Sequence, residues 1–392
     1  MGLSDRDLLI FVLELAILLV AARALGEIFR AFRQPPIVGE ILGGILVGPT
    51  VFGRFCPGPF AALFPSEPLQ RQLLDAVSWL GAMSLLLVAG MEVDVRMARR
   101  QGKPALLAAL FGFLIPFALG LALGAAVPSR FHGEHGQRAL FALFMGTALA
   151  ITALPVVARI LMDLNLLNTG VGLTILTAAM LQDLAGWVVL SIISVVATTG
   201  AADWWATGTM ALWSLLFYAF CLTLGVTLVN RVAEFAEKNL PAPGGILTAV
   251  AVITLLCGAV TQAIGIHVVF GAFIAGVMLG EVAGITQATR EAVKDSCLAV
   301  AAPIFFASVG LKVDLLTMLD LKLFAVVLAL ACAGKFLGGS LGAWLGGMSG
   351  FDALSVAIGM NARGAMEIIL AMIGMRLGII STQVFAVLVL VA

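Results

Sequence analysis

The sequence predicts an all-α protein that crosses a lipid bilayer about thirteen times. Three observations lead there. Hydrophobic residues make up 61% of the chain and charged residues only 11%, against about 25% charged in a soluble domain. The apolar residues fall into long runs parted by charged or Gly/Pro-rich loops. Motifs of the first half return, in order, in the second half.

Taken in order, the runs centre on residues 8–25, 36–53, 72–91, 104–127, 139–161, 169–199, 209–229, 245–263, 265–280, 296–311, 323–347, 353–374 and 381 onward. The opening Met1-Gly-Leu-Ser-Asp-Arg-Asp7 has no basic region, and no small-residue cleavage site follows the first run. That run is therefore expected to be a retained helix rather than a cleaved signal. Only Ala-Ile-Gly at 263–265 parts the eighth run from the ninth. The thirteenth opens near Ser381 and reaches Ala392, too short to span, so the last helix is expected to be cut short or the chain to be part of a longer protein. One alternate set of loops collects Arg30, Arg33, Arg96, Arg99, Arg100, Lys103, Arg159, Arg231, Lys238, Arg290 and Lys294. The bias marks that set as cytoplasmic and places the N-terminus outside.

Several function classes drop out on composition. A formal net charge of zero argues against a nucleic-acid partner. The five cysteines are scattered, with no Cys/His spacing for a disulfide framework, a metal centre or a cofactor. No nucleophile–base–acid set is visible, so an enzyme is not expected.

The internal repeats set the architecture. Gly39-x4-Gly44-x3-Gly48 in the second run recurs as Gly271-x4-Gly276-x3-Gly280 in the ninth. Gly90-Met-Glu-Val-Asp94 ends the third, and Gly310-Leu-Lys-Val-Asp314 ends the tenth. Leu164-Asn-Leu-Leu-Asn-Thr169 follows the fifth, and Leu377-Gly-Ile-Ile-Ser-Thr382 follows the twelfth. In each pair the copies lie an odd number of spans apart, so the second copy crosses the membrane in the opposite sense. This is an inverted-topology repeat, the architecture of secondary transporters.

Four features at membrane depth carry the chemistry. Asp183 is the one ionisable side chain between Leu164 and Ala202, near the middle of its span. A carboxylate there costs roughly 2.5–3.5 kcal/mol and by default marks an ion or proton pathway. Lys335 is the one ionisable residue between Lys322 and Asp352. Arg363 and Glu367 lie four residues apart on one helix face and are able to pair. Two helix-breaking patches, Gly146-Thr147-Ala-Leu-Ala-Ile-Thr152-Ala-Leu-Pro155 and Gly359-Met-Asn361-Ala-Arg363-Gly364, fall in repeat-related spans. Broken helices expose carbonyls and half-helix ends, tolerated at that depth only where they line a cavity or are buried in protein. Blander readings stand beside these. Arg363–Glu367 also fits a structural pair, Lys335 a fixed counter-charge, and Thr147 and Thr152 hydroxyls bonded to their own helix. His267 reads as a helix-contact residue and Glu14 as packing.

These residues carry a resemblance. Gln34-Pro-Pro-Ile-Val-Gly-Glu-Ile-Leu-Gly-Gly-Ile-Leu-Val-Gly-Pro49 resembles the second-helix signature of the monovalent cation:proton antiporters, in the branch of Kef-type and related sodium/proton exchangers. Val156–Leu161, Phe305–Leu311 and Gly359–Glu367 resemble further family stretches in the right order. The resemblance implies a dimerisation scaffold from 1–103 and 241–320, a mobile core from 104–200 and 321–392, and a linker helix at 201–240. It implies two interrupted helices that cross beside Asp183, the family's ion- and proton-binding carboxylate, with Gln182, Thr147 and Thr152 around it. Lys335, Arg363, Glu367 and Asn361 would then balance charge. It also implies a homodimer in a bacterial inner membrane, in contact with lipid. Electrogenic members carry two adjacent aspartates where this chain has Gln182-Asp183, as Kef-type members do.

The mechanism expected is exchange of Na⁺ or K⁺ for H⁺, the two competing for one carboxylate that crosses only when filled. With Lys335 permanently charged the exchange is electroneutral. The rivals are a ligand-gated, Kef-type efflux pathway with channel-like conduction, favoured by a regulatory domain beyond Ala392, and a non-transporting membrane scaffold.

Overall fold

The computed structural model describes residues 4–65, 67–93, 95–134, 137–164, 166, 169–199, 209, 212–213, 216–239, 244–265, 267–282 and 286–392. Asp94, Asn165, Leu167 and Asn168 of the repeat motifs, and much of the 201–240 segment, lie outside them. Among the described residues the protein is all-helical, save one isolated bridge between His132 and Ile380. Nine helices there are long and apolar enough to cross a membrane, and four shorter apolar helices stand at the fifth, ninth, twelfth and thirteenth expected spans.

In chain order the principal helices are α1 (Asp5–Ala31), α2 (Pro36–Val47), α3 (Pro68–Met91), α4 (Val95–Ala126), α5 (Arg138–Ala150), α6 (Leu154–Asp163), α7 (Gly170–Thr199) and α8 (Val226–Asn239). There follow α9 (Gly244–Ile264), α10 (Val268–Glu281), α11 (Gln287–Ser296), α12 (Ala302–Leu311), α13 (Leu321–Leu345), α14 (Gly350–Gly359), α15 (Ala365–Arg376) and α16 (Thr382–Val391). Local chemistry sets many of the ends. Ser4 and Asp7 cap α1 reciprocally, and Asp320, Ser349 and Ser381 cap α13, α14 and α16. Gly265, at φ +96°, turns the chain between α9 and α10.

Two boundaries differ from the apolar runs. The second helix stops at Val47, because Pro49 has no N–H to give and forces Gly48 into extended backbone. The tenth span begins at Gln287, nine residues before its apolar run, with Arg290, Glu291, Lys294 and Asp295 in its first turns. Hydropathy does not see that polar start. A π-type turn at Cys297–Ala301 joins it to α12.

The repeat appears in the packing. A Cβ on Gly39 would collide with the Leu25 carbonyl of α1, and one on Gly271 with the Cys257 carbonyl of α9. Side chains on Gly44 and Gly310 would strike Ala307 and Ile41, where α2 meets α12. The repeat-related contact joins α3 and α10: a side chain on Gly90 would strike the Phe273 carbonyl and come within 2.9 Å of Gly276 Cα. Thus the partner of α2 is the repeat mate of the partner of α10. Backbones touch at each crossing because glycine leaves nothing between them, as in small-residue membrane packing.

The chain forms two compact units. One comprises Met1–Val88 and Gln287–Leu319. Its core gathers Leu18, Ala22, Phe64, Leu74 and Ala307. Ser78 donates to Ser308 at 2.7 Å, and Lys312 pairs with Asp75 at 2.6 Å. The other comprises Ala89–Thr286 and Asp320–Ala392. There a glycine face of α13, Gly334, Gly338 and Gly342, lies directly on Pro116, Phe111 and Leu107 of α4. All the ionisable residues singled out at membrane depth, Glu14 excepted, belong to this second unit.

Replacing Gly44 with Val is expected to lower the thermal unfolding midpoint in detergent by an amount equivalent to about 1–3 kcal/mol, the usual cost of overpacking. Gly58 has nothing within 4 Å of an added Cβ, so Gly58→Ala should leave the midpoint where it was.

Candidate functional site

Two helices of the second unit are interrupted, each for a local reason. In the first, Pro155 cannot continue a helix from α5, so Ile151 turns extended and α6 starts afresh at Leu154. In the second, Met360–Gly364 separates α14 from α15. The breaks meet: the Ala153 N–H donates to the Ala362 carbonyl at 3.1 Å. Four half-helix ends therefore converge away from water, with backbone groups that need partners.

Lys335, from α13, meets much of that need. Its ammonium is 1% exposed and donates to the Ala150 carbonyl, to Thr152 Oγ1 at 2.6 Å and to Gln182 Oε1 at 2.8 Å. An ammonium has three protons, and each has an acceptor. Ala150 closes α5, so the cation also rests on the negative end of a half-helix dipole. The Thr152 hydroxyl lies 2.8 Å from Gln182 Oε1 and 3.1 Å from the Met360 carbonyl, and gives its single proton to one of them. Gln182 Nε2 donates to the Ala109 carbonyl of α4 at 3.0 Å, which turns the amide oxygen toward Lys335. Gly112 makes the room, since a Cβ there would stand 2.6 Å from Gln182 Nε2.

Asp183 is also 1% exposed, yet neither carboxylate oxygen completes a hydrogen bond to any described residue. Its electrostatic neighbours are Lys335, Glu92 and the Leu154 amide, the first N–H of α6 and the positive end of that half-helix. A buried charged oxygen without a partner is costly in a folded protein. This one lies beside two crossed breaks, an open acceptor among half-helix ends.

The remaining predicted residues fall in two places. Arg363 pairs with Glu367 at 2.7 Å, both side chains buried at the second break. Asn361 donates to Cys332 Sγ at 3.4 Å, and its Oδ1 has no partner among the described residues. Thr147 donates to the Leu143 carbonyl within its own helix at 2.9 Å, a turn before the break. His267 stands 3.4 Å from Arg376, and Glu14 is buried in α1. Sequence reasoning missed Gly112, the Ala109 and Ala150 carbonyls and the Leu154 amide. Three of these are backbone groups, which composition never marks; Gly112 had a signal, a glycine in the middle of an apolar span. No group of three His, Cys, Asp or Glu side chains able to hold a resident metal occurs among the described residues.

Fold and site together define an integral membrane protein of the inverted-repeat transporter class, with crossed broken helices around a buried carboxylate. The chain belongs to the sodium/hydrogen exchanger transmembrane family, whose model matches residues 15–392. It is 33% identical, over 99% of its length, to cation/H⁺ antiporter 18 of Arabidopsis thaliana, and covers 48% of that protein. The chain thus spans about half the length of the plant relatives it matches. It is 31% identical to the Na⁺/H⁺ antiporter NhaS4 of Synechocystis, over 100% of this chain and 95% of that one. The sodium proton antiporter MjNhaP1 of Methanocaldococcus jannaschii shares the fold, with a TM-score of 0.69 at 16% identity over 98% of this chain and 93% of that one. The family is one of antiporters rather than enzymes.

Exchanging Gln182 for Leu removes one acceptor from the buried Lys335 and one donor from Ala109. Thermal unfolding should register a loss of about 1–3 kcal/mol; an unchanged midpoint would mean that other groups hold Lys335.

Proposed function

We propose that this chain is the exchange machinery of a secondary transporter that swaps Na⁺ or K⁺ for H⁺ by alternating access. The observation that carries this reading is Asp183, a fully buried carboxylate neither of whose oxygens completes a hydrogen bond to a described residue, beside two crossed helix breaks. Such a group accepts either a proton or a hard cation, whose remaining oxygen ligands would come from broken-helix carbonyls (by analogy with). Moved bare through an apolar barrier it is costly, so only the filled site crosses. Thr147, with its hydroxyl proton given to Leu143, has lone pairs left to offer a cation.

Stoichiometry follows from Lys335. Three acceptors suit an ammonium, and a neutral amine would keep all three contacts only if the Thr152 hydroxyl turned to donate to it. Lys335 is then a fixed charge, Thr152 and Gln182 serve it, and one proton exchanges for one cation without net charge movement. Arg363–Glu367 balances itself at the second break.

The mobile part in this reading is the core of 104–200 and 321–392, linked through 201–240 to a scaffold of 1–103 and 241–320. The scaffold would form the homodimer. In this reading the N-terminus lies outside, which the basic-loop bias supports, and the membrane is a bacterial inner membrane. A regulatory domain beyond Ala392 would make the protein Kef-like in organisation.

In proteoliposomes, cation-driven proton movement should vanish in Asp183→Asn while the protein stays folded; flux persisting in that variant refutes the site. The wild-type exchange rate should be indifferent to an imposed membrane potential, and a potential-dependent rate would mean that Lys335 releases its proton in the cycle.

A further inference from the structure

One turn beyond Asp183 on α7 lies Trp187. Residues four apart on a helix share a face, with about 5–6 Å between their Cβ atoms. Gly186, beside it, is closed against Ile151 of the first break, so this stretch of α7 faces the crossing. Trp187 is 3% exposed, and its indole Nε1 has no hydrogen-bond partner among the described residues. The ring is edge-on to Phe270 at 5.3 Å and tilted on Phe273 at 5.7 Å, both on α10.

Two unsatisfied groups thus share one buried helix face: a donor with no acceptor among the described residues, and a carboxylate that completes no hydrogen bond although the Leu154 amide stands near it. Either one left so in every state would be a standing loss, and native proteins rarely keep such groups. Most of the other polar hydrogens around the crossing are engaged, those on Arg363 Nε and Nη2 excepted. Lys335 gives its three to Ala150, Thr152 and Gln182, Arg363 Nη1 serves Glu367, and Gln182 Nε2 serves Ala109. An indole N–H is a donor only, so it repels a cation and suits an acceptor; the carboxylate one turn away is an acceptor that lacks a completed bond.

We propose that Trp187 is a positioning residue of the exchange site, its N–H holding the ionised carboxylate of Asp183, directly or across one water, in the state that receives the cation. The inference rests on the exchange reading above. It gives the two oxygens of Asp183 different tasks: one is fixed by the indole, the other faces the ion. When a proton takes the place of the cation, the need for the donor ends and the indole is released, the unbonded arrangement seen here.

The test is Trp187→Phe, which keeps an aromatic ring against Phe270 and Phe273 and removes the N–H together with part of the indole's bulk. A donor favours the ionised form, so without it the proton competes better. The pH of half-maximal exchange should move up by about one unit, and the cation KM at neutral pH should rise roughly tenfold, with kcat at saturation nearly unchanged. A variant that folds like wild type and keeps its KM and pH profile would make Trp187 a packing residue and overturn the proposal. Should the variant fail to fold, the wild-type protein supplies the second measurement. A saturating cation should shift the indole N–H vibration toward a hydrogen-bonded position, and should not do so in Asp183→Asn. No shift in wild type overturns the proposal as surely. Wild type that exchanges normally beside an unaltered Trp187→Phe sinks this inference alone, whereas wild type without exchange sinks the transport reading beneath it.

Discussion

Interrupting a helix inside a membrane strips hydrogen bonds from backbone groups that have no water to turn to. The arrangement of the second unit is an answer to that constraint, applied twice. At the first break the last carbonyl of α5 is taken by Lys335, and the Ala153 N–H crosses to the second break at Ala362. At the second, the Met360 carbonyl lies within hydrogen-bond reach of the Thr152 hydroxyl. Each break supplies a partner to the other. Asp183 still completes no hydrogen bond to a described residue, and Asn361 Oδ1, Arg363 Nε and Nη2 and Trp187 Nε1 are likewise without one.

Lys335 gives this arrangement its asymmetry. A buried ammonium is tolerable where acceptors surround it, and here a helix end, a hydroxyl and an amide do so without any carboxylate. Gln182 is the residue that makes this division of labour work. Its amide, aimed by Ala109, hands an oxygen to Lys335 and leaves the neighbouring Asp183 outside that network. Cation and carboxylate still feel one another's charge, but no hydrogen bond ties them together. The acid is therefore not held in a hydrogen-bonded ion pair with Lys335.

Glycine supplies the frame. Where α2 meets α12 and α3 meets α10, and along the face that α13 turns to α4, backbone lies on backbone. In lipid no hydrophobic effect drives helices together, so close approach and dispersion do the holding. The same contacts recur between repeat mates because the motif that permits them recurs. Gly112 uses the device for another end, opening space for Gln182 rather than for a helix.

Much of this was legible in the sequence. Apolar runs of spanning length located the spans, since lipid demands length and low polarity and little else. Recurring glycine motifs an odd number of spans apart gave the inverted repeat. Ionisable residues in those runs stood out because each is costly there, which is how Asp183, Lys335 and the Arg363–Glu367 pair were found. The polar first turns of α11 and the early stop of α2 escaped, the one because hydropathy is blind to amphipathic starts, the other because a proline acts on the residue before it. Only the tertiary structure decided what the polar residues do. Thr152 and Gln182, expected around the ion, are bonded to Lys335, and Thr147 is bonded to its own helix. Spacing along a chain ranks residues by type and face, whereas a hydrogen bond is settled by which of several acceptors lies nearest in space. Here the deciding partners, the Ala109 and Ala150 carbonyls and the Leu154 amide, are backbone atoms that every residue owns and no sequence distinguishes.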